Sequence, residues 1–373
     1  MCRRVRPSVP TRLRLDKHCM NNSDSLERWL HALVSQGAAD LFLVAGFAPA
    51  IRLNGVVTPM SEPPLVGEAI EAAVIPMLHP QALECYRNEG SADVSLRRPG
   101  LGRFRVNLHR ERGHAAATIR ALPPKPPLLA ELGLPAQVDQ VTHLHHGLVL
   151  VGGATGSGKT TTVAALVNEI NRRDAKHIIT IEDPIEYEHA HQQSVVEQVE
   201  IGIDAPDFPT ALRAALRQAP DVIVIGEMRD PETMKIALTA GETGHLVFST
   251  LHTTDVTSTV ARVADSFPPE RQPTIRQDLS MALGAVLTQT LLPRANGGRV
   301  PAAELLMIGY GARQHIRKNA LQHLHQEITI TKRNGSITLE ESLAHLVHRR
   351  LISADEARTR TGHAEELEGL LRH

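Results

Sequence analysis

The chain has 373 residues, 42% of them hydrophobic and 22% charged, with 40 Lys+Arg against 41 Asp+Glu and a net charge of −1. That length suits two domains, and the composition excludes wholesale disorder and low-complexity architecture. The even charge and 3% aromatic content argue against a protein that coats nucleic acid by bulk charge or base stacking. No uncharged apolar run approaches the roughly 20 residues of a membrane-spanning helix. Three cysteines, Cys2, Cys19 and Cys85, form no CxxC pair. Such sparse usage reads as a reducing compartment without a disulfide framework.

Residues 1–24 are expected to be a disordered basic extension. Within residues 1–18, Arg3, Arg4, Arg6, Arg12, Arg14 and Lys17 face one acid, Asp16, without apolar periodicity. No apolar stretch follows that would make a signal peptide, and Met20 is an alternative start. From residue 25 to 122 the pattern is that of a small α+β domain. Leu26, Trp29, Leu30, Leu33 and Val34 recur at helical spacing, and Gly37 ends that helix. Strand signals follow at Leu41–Val44, Ile51–Leu53 with a turn at Asn54-Gly55, Val94–Leu96, Arg103–Leu108 and Ala116–Arg120, with one helix over Gly67–Leu78. Within Arg103–Leu108, Phe104, Val106 and Leu108 alternate with Arg103, Arg105 and Asn107, as in an antiparallel sheet with one wet face.

Four prolines in residues 123–127 cannot lie in a helix or a central strand. They mark a domain boundary, with residues 123–146 expected as linker. From 147 to 350 the short apolar runs Leu148–Val151, Ile178–Ile181, Val222–Ile225 and Leu246–Phe248 alternate with helical segments such as Thr160–Ile170 and Thr210–Gln218. Unbroken apolar strands separated by helices predict an α/β fold with a parallel sheet covered on both faces. Beyond Asp265 the pattern is mostly helical, with a strand pair near Arg299–Met307 and a helical tail over 351–373.

The strongest chemical signal is Gly153-Ala154-Thr155-Gly156-Ser157-Gly158-Lys159-Thr160, a GxxxxGK[ST] phosphate loop between a strand and a helix. Its glycines let successive N–H groups turn toward a phosphate chain, and the helix N-terminus adds positive charge. Lys159 is expected on the β- and γ-phosphates, Thr160 on Mg²⁺, and Thr161 at the rim of the same cradle. Glu227 ends the apolar run from Asp221, while Glu182 and Glu186 follow the strand ending at Ile181. Ligands of such sheets sit beyond the carboxyl ends of the strands. Glu227 is therefore a Mg²⁺ candidate, and Glu182 and Glu186 are candidates for polarising water.

His252, at the far end of the strand after His245, is placed to sense a γ-phosphate. Among 20 histidines, the group His143, His145 and His146 carries no zinc spacing. Arg103, Arg105, Arg110, Arg112 and Arg120 are expected on one exposed face, as a solvated surface or as arginines completing a neighbour's site.

Several blocks, in order, resemble the secretion ATPase superfamily of type IV pilus and type II systems, and within it the pilus retraction branch. Residues 37–41 and 49–52 resemble the opening of its PAS-like N-terminal domain, and residues 102–107 its arginine strand. Beside the Walker A loop, residues 180–187 resemble its Asp box, 220–230 its atypical Walker B, and 241–254 its His box. The resemblance implies a RecA-like ATPase core joined to a smaller PAS-like α+β domain, with ATP between them, in a homohexameric ring. It implies Glu186 as general base with Glu182 beside it, Glu227 on Mg²⁺, His252 on the γ-phosphate, and Arg105 and Arg120 facing nucleotide. It also implies a cytoplasmic ATP-hydrolysing motor at the inner-membrane face of the pilus base. Its partners there would be a membrane platform protein and an assembly or paralogous retraction ATPase, with no nucleic acid.

The tetracysteine insertion of assembly and type II enzymes is not seen, which favours the retraction branch. Residues 311–317 resemble that branch's C-terminal AIRNLIR segment, with Gln314 and His315 in place of Asn-Leu. The readings held against this one are an assembly or secretion ATPase, a RecA-like nucleic-acid motor, and a non-hydrolysing regulatory paralogue.

Overall fold

The computed structural model describes residues 22–372 apart from residue 54. The expected extension over residues 1–21 and the turn residue Asn54 lie outside the described residues. The chain divides into two compact units, one ending at Leu122 and the other starting at Pro123.

In the first unit, helix α1 (Asn22–Ser35) starts three residues inside the stretch expected to be disordered. Strands β1 (Asp40–Val44), β2 (Ala50–Leu53) and β3 (Val56–Pro59) follow. Then come helices α2 (Gly67–Val74) and α3 (Pro80–Glu89), and strands β4 (Ser91–Arg98), β5 (Gly102–Glu111) and β6 (His114–Leu122). The sheet order is β3-β2-β1-β6-β5-β4, and every pairing is antiparallel.

Leu26, Trp29, Leu30 and Leu33 of α1, Ile70 and Ala73 of α2, and Tyr86 of α3 pack on Phe104, Val106, Leu108 and Ile119. The arginine strand thus buries its apolar face, as its alternation predicts. Two elements escaped the sequence reading. β3 is exposed along its whole length, so no burial pattern marks it. α3 begins on Pro80, which contributes no N–H where none is needed, and His79 caps it by accepting from the Ala82 amide at 3.2 Å.

The second unit is built on β7 (Gly147–Gly152), α4 (Lys159–Arg173), β8 (His177–Glu182), β9 (Val195–Glu200), α5 (Phe208–Ala215) and β10 (Val222–Ile225). It continues with α6 (Pro231–Glu242), β11 (Leu246–Leu251), α7 (Val256–Asp265), α8 (Gln272–Ala282), β12 (Leu283–Pro293) and β13 (Arg299–Met307). The sheet order is β13-β12-β7-β11-β10-β8-β9, parallel except for β13.

Alternate residues of each strand enter different cores. Leu148, Leu150, Ile223 and Ile225 meet Leu212 of α5 and Met234 and Leu238 of α6. Val149, Val151, Val222 and Val224 meet Val163, Leu166 and Ile170 of α4 on the other face. That two-sided burial is why the strands read as continuous apolar runs. β12 lies in a stretch read as helical, since its mostly buried Leu283–Leu287 segment carries no period that separates strand from helix.

Residues 129–143, inside the expected linker, form short 3-10 segments whose Val138 and Val141 are buried with Val149 and Val151. They are therefore part of the second unit's core rather than a free spacer. Helices α9 (Tyr310–Arg317), α10 (Leu324–Ile330), α11 (Leu339–His348), α12 (Ala354–Arg358) and α13 (Ala364–Leu371) close the chain. Leu343 and Leu346 of α11 and Leu367 of α13 pack against Leu292 of β12 and Val300 of β13. No described helix is long and apolar enough to cross a membrane.

Candidate nucleotide site

β7, β8, β10 and β11 run parallel and end together. Their carboxyl ends deliver the phosphate loop after Gly152, Glu182, Glu227 beyond Ile225, and His252 beyond Leu251 to one edge of the sheet. The loop is held in a shape only glycine permits at its first position. At Gly153, with φ of +154°, a Cβ would lie 2.3 Å from Ser157 Oγ and 2.6 Å from the Gln289 carbonyl oxygen. Gly156 and Gly158 also have positive φ.

Lys159 is buried. Its ammonium donates back to the carbonyls of Gly153 at 2.9 Å and Ala154 at 3.1 Å. Burial pushes its pKa down, against the nearby charges of Glu227 and Glu186. A buried cation whose bonds go to carbonyls is poised for an anion, and phosphate oxygens provide one. Ser157 Oγ, buried and without a hydrogen-bond partner, is a further group such a ligand satisfies.

His252 joins the loop to the Walker B acid. Its Nδ1 lies 3.4 Å from Lys159 Nζ and 3.5 Å from Thr155 Oγ1, and its Nε2 lies 3.7 Å from Glu227 Oε2. An ammonium only donates, so Nδ1 accepts and Nε2 carries the hydrogen that faces the carboxylate. The other oxygen of Glu227 pairs with the exposed Arg229 at 2.5 Å.

The two remaining acids differ in their surroundings. Glu182 accepts from Thr180 Oγ1 at 2.7 Å, Gln198 Nε2 at 3.3 Å and the Glu186 amide at 3.4 Å, and burial pushes its carboxyl above the usual range. Among the described hydrogen bonds and ion pairs, none engages the half-buried Glu186 carboxylate. Thr160 is half-buried at the start of α4, while the Thr161 hydroxyl pairs with Tyr187 OH at 2.9 Å.

The fold places Arg105 and Arg120 opposite each other on β5 and β6. Each has an acid on the other side: Arg105 Nε lies 3.3 Å from Asp93, and Arg120 Nε lies 2.8 Å from the buried Asp40, which Arg52 also meets at 3.0 Å. Two like charges facing across a ladder repel, and these flanking carboxylates offset that repulsion. Arg110, expected on the same face, is on the opposite one. Its guanidinium sits 5.0 Å over the Tyr86 ring and 3.7 Å from Glu71, because it continues the Phe104–Val106–Leu108 alternation.

Gln289 was not foreseen. From buried β12 its amide donates to the Ser157 carbonyl at 2.6 Å and accepts from Thr162 Oγ1 at 2.8 Å. It thereby fastens the loop to α4. A strand glutamine carries no sequence signal for that role.

Residues 112–365 match the family model described as type II/IV secretion system protein. The chain belongs to that family. Among its relatives is PilT of Pseudomonas aeruginosa, named a type IV pilus retraction ATPase, 42% identical over 87% of this chain and 94% of the relative. A twitching motility protein of Neisseria gonorrhoeae is 39% identical over 87% of each chain.

Among solved structures, the pilus retraction motor PilT with bound ADP superposes with a TM-score of 0.84 at 40% identity, covering 92% of this chain and 98% of that one. The ATPase DotB of Legionella pneumophila gives 0.78 at 26% identity, over 95% and 97% of the two chains. The fold is that of the RecA-like secretion ATPases. The family model runs through the phosphate loop, both candidate bases, Glu227 and His252, whereas Arg105 precedes it.

Proposed function

We propose that this family member binds ATP with Mg²⁺ and hydrolyses it to drive retraction of a type IV pilus, working as a homohexamer on the cytoplasmic face of the inner membrane. The observation that carries the reading is the convergence of buried Lys159, His252 and Glu227 on the phosphate loop. Likeness to PilT over 87% of this chain supports it, as does likeness to a PilT structure that holds ADP. The membrane platform protein, and an assembly or paralogous retraction ATPase, are its proposed partners.

Thr160 and Glu227 are the proposed Mg²⁺ residues, and the ion when bound neutralises charge on the phosphate oxygens. Gly153 to Thr161 cradle the phosphates, with Lys159 on the β- and γ-oxygens. Glu186 is the general base, because Glu182 is occupied by three donors and shifted toward its neutral form. Water attacks the γ-phosphorus, its proton passes to Glu186, the bond to the β-phosphate oxygen breaks, and ADP and inorganic phosphate leave. His252, donating toward Glu227 through Nε2, ties the γ-phosphate end of the loop to the acid. Arg105 and Arg120 are proposed to complete a nucleotide site electrostatically. The subdivision into a PAS-like domain up to 122 and an ATPase domain beyond it belongs to the same proposal.

The test pairs phosphate release by the purified protein with pilus counts and surface motility in cells lacking the gene. Hydrolysis together with abundant pili and lost motility is the expected result. Bare cells would make it an assembly motor. Unchanged pili and motility would remove the pilus role and leave the ATPase.

A further inference from the structure

Far along the chain from the phosphate loop, α10, α11 and α13 bring together His325, Glu340 and Glu366. One ligand atom from each lies within 4.8 Å of those of the other two. Glu340 is 1% exposed. One of its oxygens accepts from Thr361 Oγ1 at 2.8 Å and the His363 amide at 3.3 Å, and the other is buried with no hydrogen-bond partner. A buried carboxylate oxygen left unbonded is destabilising, so the fold keeps it there at a loss unless something binds it.

The histidine is already oriented as a ligand. His325 Nε2 faces Glu366 Oε2 at 2.9 Å, while its Nδ1 lies 4.0 Å from the buried Glu304. Glu304 is itself fixed by the Val256 amide at 3.1 Å and Thr288 Oγ1 at 3.3 Å. A carboxylate behind one ring nitrogen, with the other pointing at further acids, is the arrangement that fixes metal-bound histidines. Thr338 Oγ1 holds the second oxygen of Glu366 at 3.1 Å, and the His363 ring stacks on His325 at 3.8 Å. Among the described residues, no lysine or arginine pairs with Glu304, Glu340 or Glu366. Their partners are neutral hydroxyl and amide donors and the His325 imidazole.

We propose that His325, Glu340 and Glu366 bind a divalent transition cation of the zinc type, with water in the fourth position, as a clip that fastens α13 to α10 and α11. One imidazole nitrogen with two carboxylate oxygens suits zinc rather than Mg²⁺, which asks for near-octahedral oxygen. Tetrahedral bonds of about 2.0–2.1 Å set ligand atoms roughly 3.3 Å apart, so the His325–Glu366 pair, at 2.9 Å, opens slightly and the Glu340 oxygen closes from within 4.8 Å. The three residues come from separate helices, so no motif announces them in the sequence.

The experiment uses the full chain without a histidine tag, stripped with chelator and freed of nucleotide. Zn²⁺ is titrated calorimetrically, and Co²⁺ is added in parallel to read the visible absorption of a tetrahedral site. The expected result is one tight equivalent per chain, with affinity falling at least about a hundredfold in Glu340→Gln and in His325→Ala, more than loss of an outer-shell partner costs. Zn²⁺ should also raise the melting temperature of the wild type but not of Glu340→Gln, which keeps the size and shape of the side chain.

A folded wild type that binds no Zn²⁺ would overturn the proposal and leave an ion-pair cluster neutralised by a proton on His325. Binding of equal strength in both variants would also overturn it, placing the ion among the other histidines.

Discussion

Gln289→Leu tests whether β12 holds the phosphate loop in its binding shape. The side chain is buried and makes two bonds, to the Ser157 carbonyl at 2.6 Å and from Thr162 Oγ1 at 2.8 Å. Leucine fills similar space but leaves a carbonyl and a hydroxyl without partners, in a place where Thr162 is 2% exposed. Each orphaned group costs roughly 1–3 kcal/mol, so the pair costs about 2–6 kcal/mol, less what leucine regains by burial. A net loss of about 3 kcal/mol corresponds to roughly a hundredfold in an equilibrium constant.

If that loss falls on the loop, the dissociation constant for a fluorescent ADP analogue should rise by about that factor. If it falls on the whole unit, the urea midpoint should drop instead. Thr162→Val should cost less, and the double variant should cost less than the sum of the singles by about 1–2 kcal/mol, because the two groups satisfy each other. Nucleotide affinity within twofold of wild type with an unchanged urea midpoint would refute the reasoning. So would two single losses that add within about 0.5 kcal/mol.

Gly153→Ala should abolish nucleotide binding in a folded protein, since its Cβ meets Ser157 and the Gln289 backbone below 3.0 Å; retained binding by calorimetry would show that the loop yields more easily than its packing implies. Glu227→Gln should keep ATP binding and slow phosphate release at least about tenfold, whereas a rate within twofold of wild type would remove Glu227 from the chemistry. Burial lowers the His189 pKa to about 4 from 6.5, so the native state resists a proton that the unfolded chain accepts. Its contribution to stability is present above pH 6.5 and is lost as pH falls toward 4. The drop in melting temperature between pH 7 and pH 5 should accordingly shrink in His189→Gln, and an unchanged drop would place the sensitivity elsewhere.

The sequence by itself determined the local grammar and named most of the residues of the candidate site. The parallel strands were legible because burial on both faces demands unbroken apolar runs such as Val222–Ile225. The phosphate loop was legible because its backbone shape needs glycines at set positions. Glu182, Glu227 and His252 were legible because parallel strands all point their carboxyl ends one way. The arginine strand showed its buried face through a period of two.

Only the tertiary structure decided what depends on segments remote in sequence. It made residues 129–143 part of a core and put Arg110 across the sheet from Arg105. It separated Glu182, held by three donors, from Glu186, whose carboxylate makes none of the described hydrogen bonds or ion pairs. It also brought Gln289 onto the loop and drew His325, Glu340 and Glu366 from three helices into one cluster. Such contacts join residues tens of positions apart, and a neutral amide or a lone acid has the same local signature whether it faces solvent or a partner.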